Sequence, residues 1–148
     1  MNNSIFLIVI IGIFIASYYF GQFLDQSEQT SEQLIYIESA KCNPVLSICK
    51  AVFDGGGVAV HFRQPPSALT PFDVEVITQG FEAVEVGITF IMKGMDMGVN
   101  AFNLDQQSMD SWQARVILPV CSLGRNDWIA EIRFLYRDKV FRLDLPFG

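Results

Sequence analysis

Beyond residue 33, apolar and polar positions alternate along most of the chain. Val84, Val86, Ile88, Phe90 and Met92 stand on one parity, with Glu85, Gly87, Thr89 and Ile91 between them. That is the period-two signature of a half-buried strand. Phe72-Asp73-Val74-Glu75-Val76 repeats the pattern with acids on the outer parity. Shorter β-prone runs follow from composition at 34–37, 57–62, 99–104, 112–118, 128–136 and 140–145. Pro65-Pro66 closes one run and Pro119 another, because proline lacks the amide donor of a central ladder. Arg137-Asp138-Lys139 is short enough to be a hairpin connection, and Gly55-Gly56-Gly57 reads as a flexible turn. Seven or eight strands at a spacing of roughly 10–14 residues, with no soluble helix, predict an all-β fold: an antiparallel β-sandwich over residues 34–148.

The first 24 residues follow another rule. Residues 5–20 (IFLIVIIGIFIASYYF) are an unbroken apolar or small run, extended by Gly21-Gln22-Phe23-Leu24. About 20 such residues are what a helix needs to cross a bilayer. A cleaved signal peptide would carry a basic start and a small-residue cleavage site. Here Met1-Asn2-Asn3-Ser4 has no basic side chain, and Tyr18, Tyr19 and Phe20 resemble an interfacial aromatic belt. The pattern predicts an N-terminal transmembrane anchor over 1–24, a polar stalk over 25–33 (from QSEQTSEQ), and one domain beyond it. Lys and Arg near the anchor are too few to orient it. A four-residue tail and a downstream domain favour the N-terminus inside and the domain outside.

Charge removes some function classes. Of 16 acidic and 10 basic residues, ten acids but only four bases fall in residues 1–100. Arg133, Arg137, Lys139 and Arg142 alternate with apolar residues and acids, as on the solvated face of a hairpin, so no basic surface for nucleic acid is expected. No G-x-S-x-G elbow, Walker glycine loop or dinucleotide fingerprint occurs. The pairs Asp73/Glu75 and Glu82/Glu85 read as solvated strand positions, and enzymatic activity is not expected.

Three cysteines stand at 42, 49 and 121. Cys42 and Cys49 are close enough to close a small loop in an oxidising compartment, although three pairings are open to three cysteines. If those two pair, Cys121 is an odd thiol. Met92, Met95 and Met97 fall within six residues, and a thioether suits Cu(I). Methionine is also a common core filler. Alternation assigns Met92 to the core face, whereas Gly94 interrupts the strand and releases Met95 and Met97 into a turn. Met95, Met97 and Cys121 are therefore the candidate metal ligands, with Met109 and His61 as additional candidates. His61 is the lone histidine, on the parity opposite Val60 and Phe62, where a structural or exposed role is the ordinary one; a His-rich zinc site is excluded.

A family resemblance rests on two stretches. Gly87 through Gly98, a strand running into Met95-Asp96-Met97-Gly98, resembles the strand and M-x-M-G element of YtkA-like and FixH-like domains. Trp112-Gln113-Ala114 to Leu118-Pro119, then Gly124 and Trp128-Ile129-Ala130, is similar to their later pair of strands. One anchor before one small sandwich also looks like FixH. The resemblance covers about 84–136 and implies an immunoglobulin-like sandwich held at the cytoplasmic (inner) membrane, single-pass, with its domain in the periplasm. It further implies copper handling or assembly of haem-copper respiratory oxidases, with Met95, Met97 and Gly98 the only residues carried over. The chain departs from that pattern in Cys42, Cys49 and Cys121 and in its shortage of histidines, which weighs against tight Cu(II) binding. The other expectation is a metal-free interaction or scaffold module of a membrane complex, with the methionines as an adaptable contact.

Overall fold

The computed structural model describes Ile10, Ile13, Ile15, Ser17 and residues 34–37, 42–95, 98 and 100–148. The chain divides into two compact units, Met1–Ser31 and Glu32–Gly148. In the first, the four described residues are helical, and the Ser17 hydroxyl donates to the Ile13 carbonyl four residues back at 2.8 Å. The rest of the expected 1–24 anchor and the whole 25–33 stalk lie outside the described residues. Among the described residues, no helix is long and apolar enough to cross a membrane.

The second unit is all-β. Its strands are β1 (Leu34–Ile37), β2 (Cys49–Phe53), β3 (Gly56–Phe62), β4 (Phe72–Gln79), β5 (Glu85–Met92), β6 (Ala101–Asn103), β7 (Asp105–Gln106), β8 (Ser111–Val116), β9 (Trp128–Tyr136) and β10 (Lys139–Phe147). They form two five-stranded sheets, in the orders β1-β10-β9-β5-β6 and β2-β3-β4-β8-β7. All pairings are antiparallel except β1 on β10, which is parallel.

Alternation explains why the two sheets bury one face each. Val86, Ile88, Phe90 and Met92 of β5 point inward, as do Phe72, Val74 and Val76 of β4 and Phe141, Leu143, Leu145 and Phe147 of β10. These side chains from both sheets join one core, and each large one stabilises the fold by about 1.5–3 kcal/mol relative to exposure. Trp112 and Trp128 are core members, 5% and 6% exposed. Two aromatic groups fill the core. Phe62, Phe72, Phe90 and Phe147 meet in one half, with Phe62 and Phe147 at 5.2 Å. Phe53, Phe81, Phe134, Tyr136 and Phe141 meet in the other, with Phe134 and Phe141 stacked at 5.2 Å.

The structure departs from the sequence expectation in four places. Val84, on the expected inward parity, precedes β5 and is 71% exposed. Among the described residues there are ten strands rather than seven or eight; β2 and the two-residue β7 are the additions. Asp54 and Gly55 alone make the turn, while Gly56 and Gly57 already belong to β3. Gly56 is packed, since a Cβ there would lie 2.4 Å from the Gln79 carbonyl oxygen. Finally, the β9–β10 face is not uniformly solvated. Glu131 is buried and pairs with Arg133 and Arg142, the latter at 2.6 Å. Arg142 also binds Asp144 at 2.8 Å, and its guanidinium lies 5.0 Å over the Tyr36 ring. A carboxylate taken out of water needs such partners.

Register assigns every loop to one end of the sandwich. Phe72 pairs with Val116 and Met92 with Trp128, which in turn pairs with Phe147. Segments 42–48, 63–71, 93–95 and 117–127 therefore gather at that end. Segments 54–55, 80–84, 104–110 and 137–138 gather at the other. Leu34 pairs with Val140, so the chain enters β1 at the far end.

Candidate functional site

Gly94 begins the construction of the site. Its φ of +75° is a conformation in which L side chains are strained, and it turns the chain directly after β5. The Met95 amide then donates back to the Met92 carbonyl at 3.2 Å. This turn leaves Met92 in the core, 2% exposed, and sets Met95 partly buried against the core's end.

Cys121 arrives from the opposite sheet. Leu118 is buried and bonds the next loop, its carbonyl accepting from the Leu69 amide at 2.9 Å. Past Pro119, a turn closed by the Gly124 amide on the Cys121 carbonyl (3.0 Å) holds the thiol in place. Gly124 takes φ +66° there. Arg125 ties this turn to the first one by donating to the Lys93 carbonyl at 3.2 Å, and it is itself held by Asp127 at 2.8 Å through Nε. The same contact holds the Asp127 carboxyl below its ordinary value and keeps Arg125 above its own. The result is a pair of sulfurs: Cys121 Sγ lies 3.5 Å from Met95 Sδ, across 26 residues of sequence.

The thiol opens onto a groove of about 370 Å³, lined among others by Leu118, Arg125, Trp128, Phe147 and Asn43. Leu46, Leu69, Val120 and Leu123 are exposed in the loops of this end. Two sulfurs bound to one ion at roughly 2.3 Å each stand at most about 4.6 Å apart. The observed separation lies inside that limit, and thiol with thioether is a soft donor set of the kind that suits Cu(I). Met95 and Cys121 thus fit a shared soft ion in both distance and chemistry.

The other candidates are placed differently. Met97 lies outside the described residues. Met109 is exposed in the β7–β8 loop beside Asp110, whose carbonyl accepts from Thr78, so it sits at the far end. His61 is on the outward parity of β3, in register with Glu75, and its Nδ1 is buried with no hydrogen-bond partner among the described residues. Neither joins the sulfur pair. Cys42 and Cys49 form a disulfide, which leaves Cys121 as the free thiol. Among the described residues, no three His, Cys, Asp or Glu side chains come together as a metal group. Arg125 was not foreseen from sequence. The signal it offers is slight, a one-residue spacing to Asp127 in a loop after Gly124.

No protein-family model and no curated protein matches the chain. Among solved structures, a crystal structure of an engineered protein is similar over 62% of this chain, with a TM-score of 0.45 and 15% identity. The chain spans 20% of the length of that structure.

Proposed function

We propose that this chain is a membrane-anchored accessory protein whose periplasmic, immunoglobulin-like sandwich uses Cys121 and Met95 to hold Cu(I) during respiratory oxidase assembly. The 3.5 Å approach of the two sulfurs is the observation that carries the reading. Met97, two residues on, is a further thioether in this proposal. The strand orders support the immunoglobulin-like part: β10-β9-β5 corresponds to a G-F-C sheet and β3-β4-β8-β7 to an A-B-E-D sheet. A bound Cu(I) would supply a soft, exchangeable metal for transfer to a partner such as a haem-copper oxidase or its assembly factors. The sandwich holds the two turns at fixed separation, and Arg125 positions the Cys121 turn against the Met95 turn.

The test is a competition titration of the full chain in detergent against a Cu(I) chelator. Copper uptake is expected, weakened at least about tenfold by Cys121→Ser and by Met95→Leu. Absence of uptake, or uptake indifferent to both changes, overturns the reading. A metal-free docking module is the second reading, favoured by the exposed Leu46, Leu69, Val120 and Leu123 at the same end. A membrane partner that co-purifies from copper-depleted membranes, with no copper uptake, selects it.

A further inference from the structure

The segment between the two bonded cysteines forms part of the groove beside the free one. Asn43, Val45 and Leu46 line the groove together with Cys121, Arg125 and Trp128. This segment is folded mostly on itself. The Leu46 and Ser47 amides donate to the Asn43 carbonyl at 3.1 and 3.2 Å, and the Val45 amide to Asn43 Oδ1 at 2.9 Å. Among the described residues, one main-chain bond ties it to the sandwich, from the Phe62 amide to the Pro44 carbonyl at 3.1 Å, while Pro44 is buried and Cys42 and Val45 pack against the core. Its other tie is covalent. Cys49 is fixed in β2 opposite Val60, whereas Cys42 lies outside any strand, so the disulfide ties the Cys42 end covalently to the sheet.

We infer that the Cys42–Cys49 disulfide is a redox latch that sets access to the Cys121–Met95 pair. A dithiol reductant would open it. Its two thiols become a disulfide, the Cys42–Cys49 bond breaks, and each freed sulfur takes up one proton. The segment 42–48 is then held without its covalent tie, by the Pro44–Phe62 bond and the packing of Pro44 and Val45, and the exposed stretch from Leu46 to Ile48 on that side of the groove loosens. Residues 43–48 (Asn-Pro-Val-Leu-Ser-Ile) carry no charged side chain. Loosening them changes how easily a reagent reaches Cys121 without changing the charges around it. Thiol reactivity depends on both thiolate fraction and access, so the two contributions separate.

The disulfide thereby regulates the sulfur pair, a role that rests on the function proposed above, while the alkylation test below is metal-free and can fail independently of copper uptake. The measurement is the alkylation rate at Cys121 in the full chain, with iodoacetamide, as a function of pH. In the oxidised protein and in Cys42→Ala/Cys49→Ala alike, Cys121 is the one free thiol. The limiting rate at full thiolate is expected to rise about tenfold in the double variant. The same rise is expected in the wild-type chain reduced with a phosphine and mapped at the Cys121 peptide, while amide protection in β9 persists. A rise below about threefold overturns the inference. Loss of protection in β9 on reduction also overturns it, because the disulfide would then hold the whole sandwich and not the groove wall.

Discussion

The two ends of the sandwich are built from the same strands but to opposite specifications. At the far end the two hairpin turns, 54–55 and 137–138, are minimal. Arg137 and Asp138 both take positive φ, +49° and +58°, which is the type I′ geometry that matches strand twist. A Cβ on Gly55 would come within 2.9 Å of the Phe53 ring, so that turn closes onto the aromatic core. At the sulfur end, Gly94 and Gly124 also take positive φ, yet a Cβ on either meets nothing within 4 Å. The loops of this end together carry the exposed Leu46, Leu69 and Leu123, the disulfide and the free thiol. The contrast separates two jobs: one end closes the core, and the other presents side chains from a rigid frame.

Truncation of the core on the packed side should have the largest effect. Phe134 is 2% exposed and touches Phe53, Phe81 and Phe141. Phe134→Ala is expected to cost about 3–5 kcal/mol in urea unfolding, whereas Leu123→Ala at the open end should stay within about 0.5 kcal/mol. Similar losses would break the comparison. Next comes the disulfide. Its sequence separation of 7 makes a small ring, and Cys42→Ala/Cys49→Ala should lower stability by about 2–3 kcal/mol, read from the denaturant midpoint. A larger loss would mean that the open end bears on the core more than its loops suggest.

A pair of glycine substitutions sharpens the contrast further. At Gly56 an added methyl would lie 2.4 Å from the Gln79 carbonyl oxygen and 2.7 Å from the Phe81 ring. Gly56→Ala should therefore cost about 2–3 kcal/mol, from displaced backbone. Gly94→Ala meets open space and bears only the positive-φ penalty, about 1 kcal/mol. Equal costs at the two sites would remove the distinction between packed and open turns.

What could be read from sequence follows the same division. Strands with large alternating side chains, such as Val86-Ile88-Phe90-Met92, declare their register because burial selects one parity. β2 did not, because its inward residues are the small Cys49 and Ala51 while Val52, a strong apolar marker, points out at 80% exposure. The buried Glu131 was likewise invisible, since its partner Arg142 arrives from the neighbouring strand. Gly94 marked the turn that frees Met95, but the approach of Cys121 depends on the pairing of Met92 with Trp128 and on the Arg125–Lys93 bond. Such contacts are set by tertiary register, which no local pattern encodes.

The smallest predicted effect lies where β1 enters the far end. The Tyr36 hydroxyl donates to Asp144 at 2.9 Å, and Arg142 sits over its ring. Desolvation first, and then the bond to Asp144, raise the Tyr36 pKa above its ordinary 10.0. A group raised in the folded state adds stability that is fully present below its unfolded value and is lost as pH climbs through the folded one. Stability should therefore decline from about pH 10 upward as a phenolate forms beside the Asp144 carboxylate. Tyr36 is 59% exposed, so solvent screens the interaction and the decline is shallow. Urea midpoints of the wild type and Tyr36→Phe across that range make the check: the variant should show the flatter dependence. Parallel curves would mean that β1 is held on β10 by its ladder alone, without help from the side-chain network at this end.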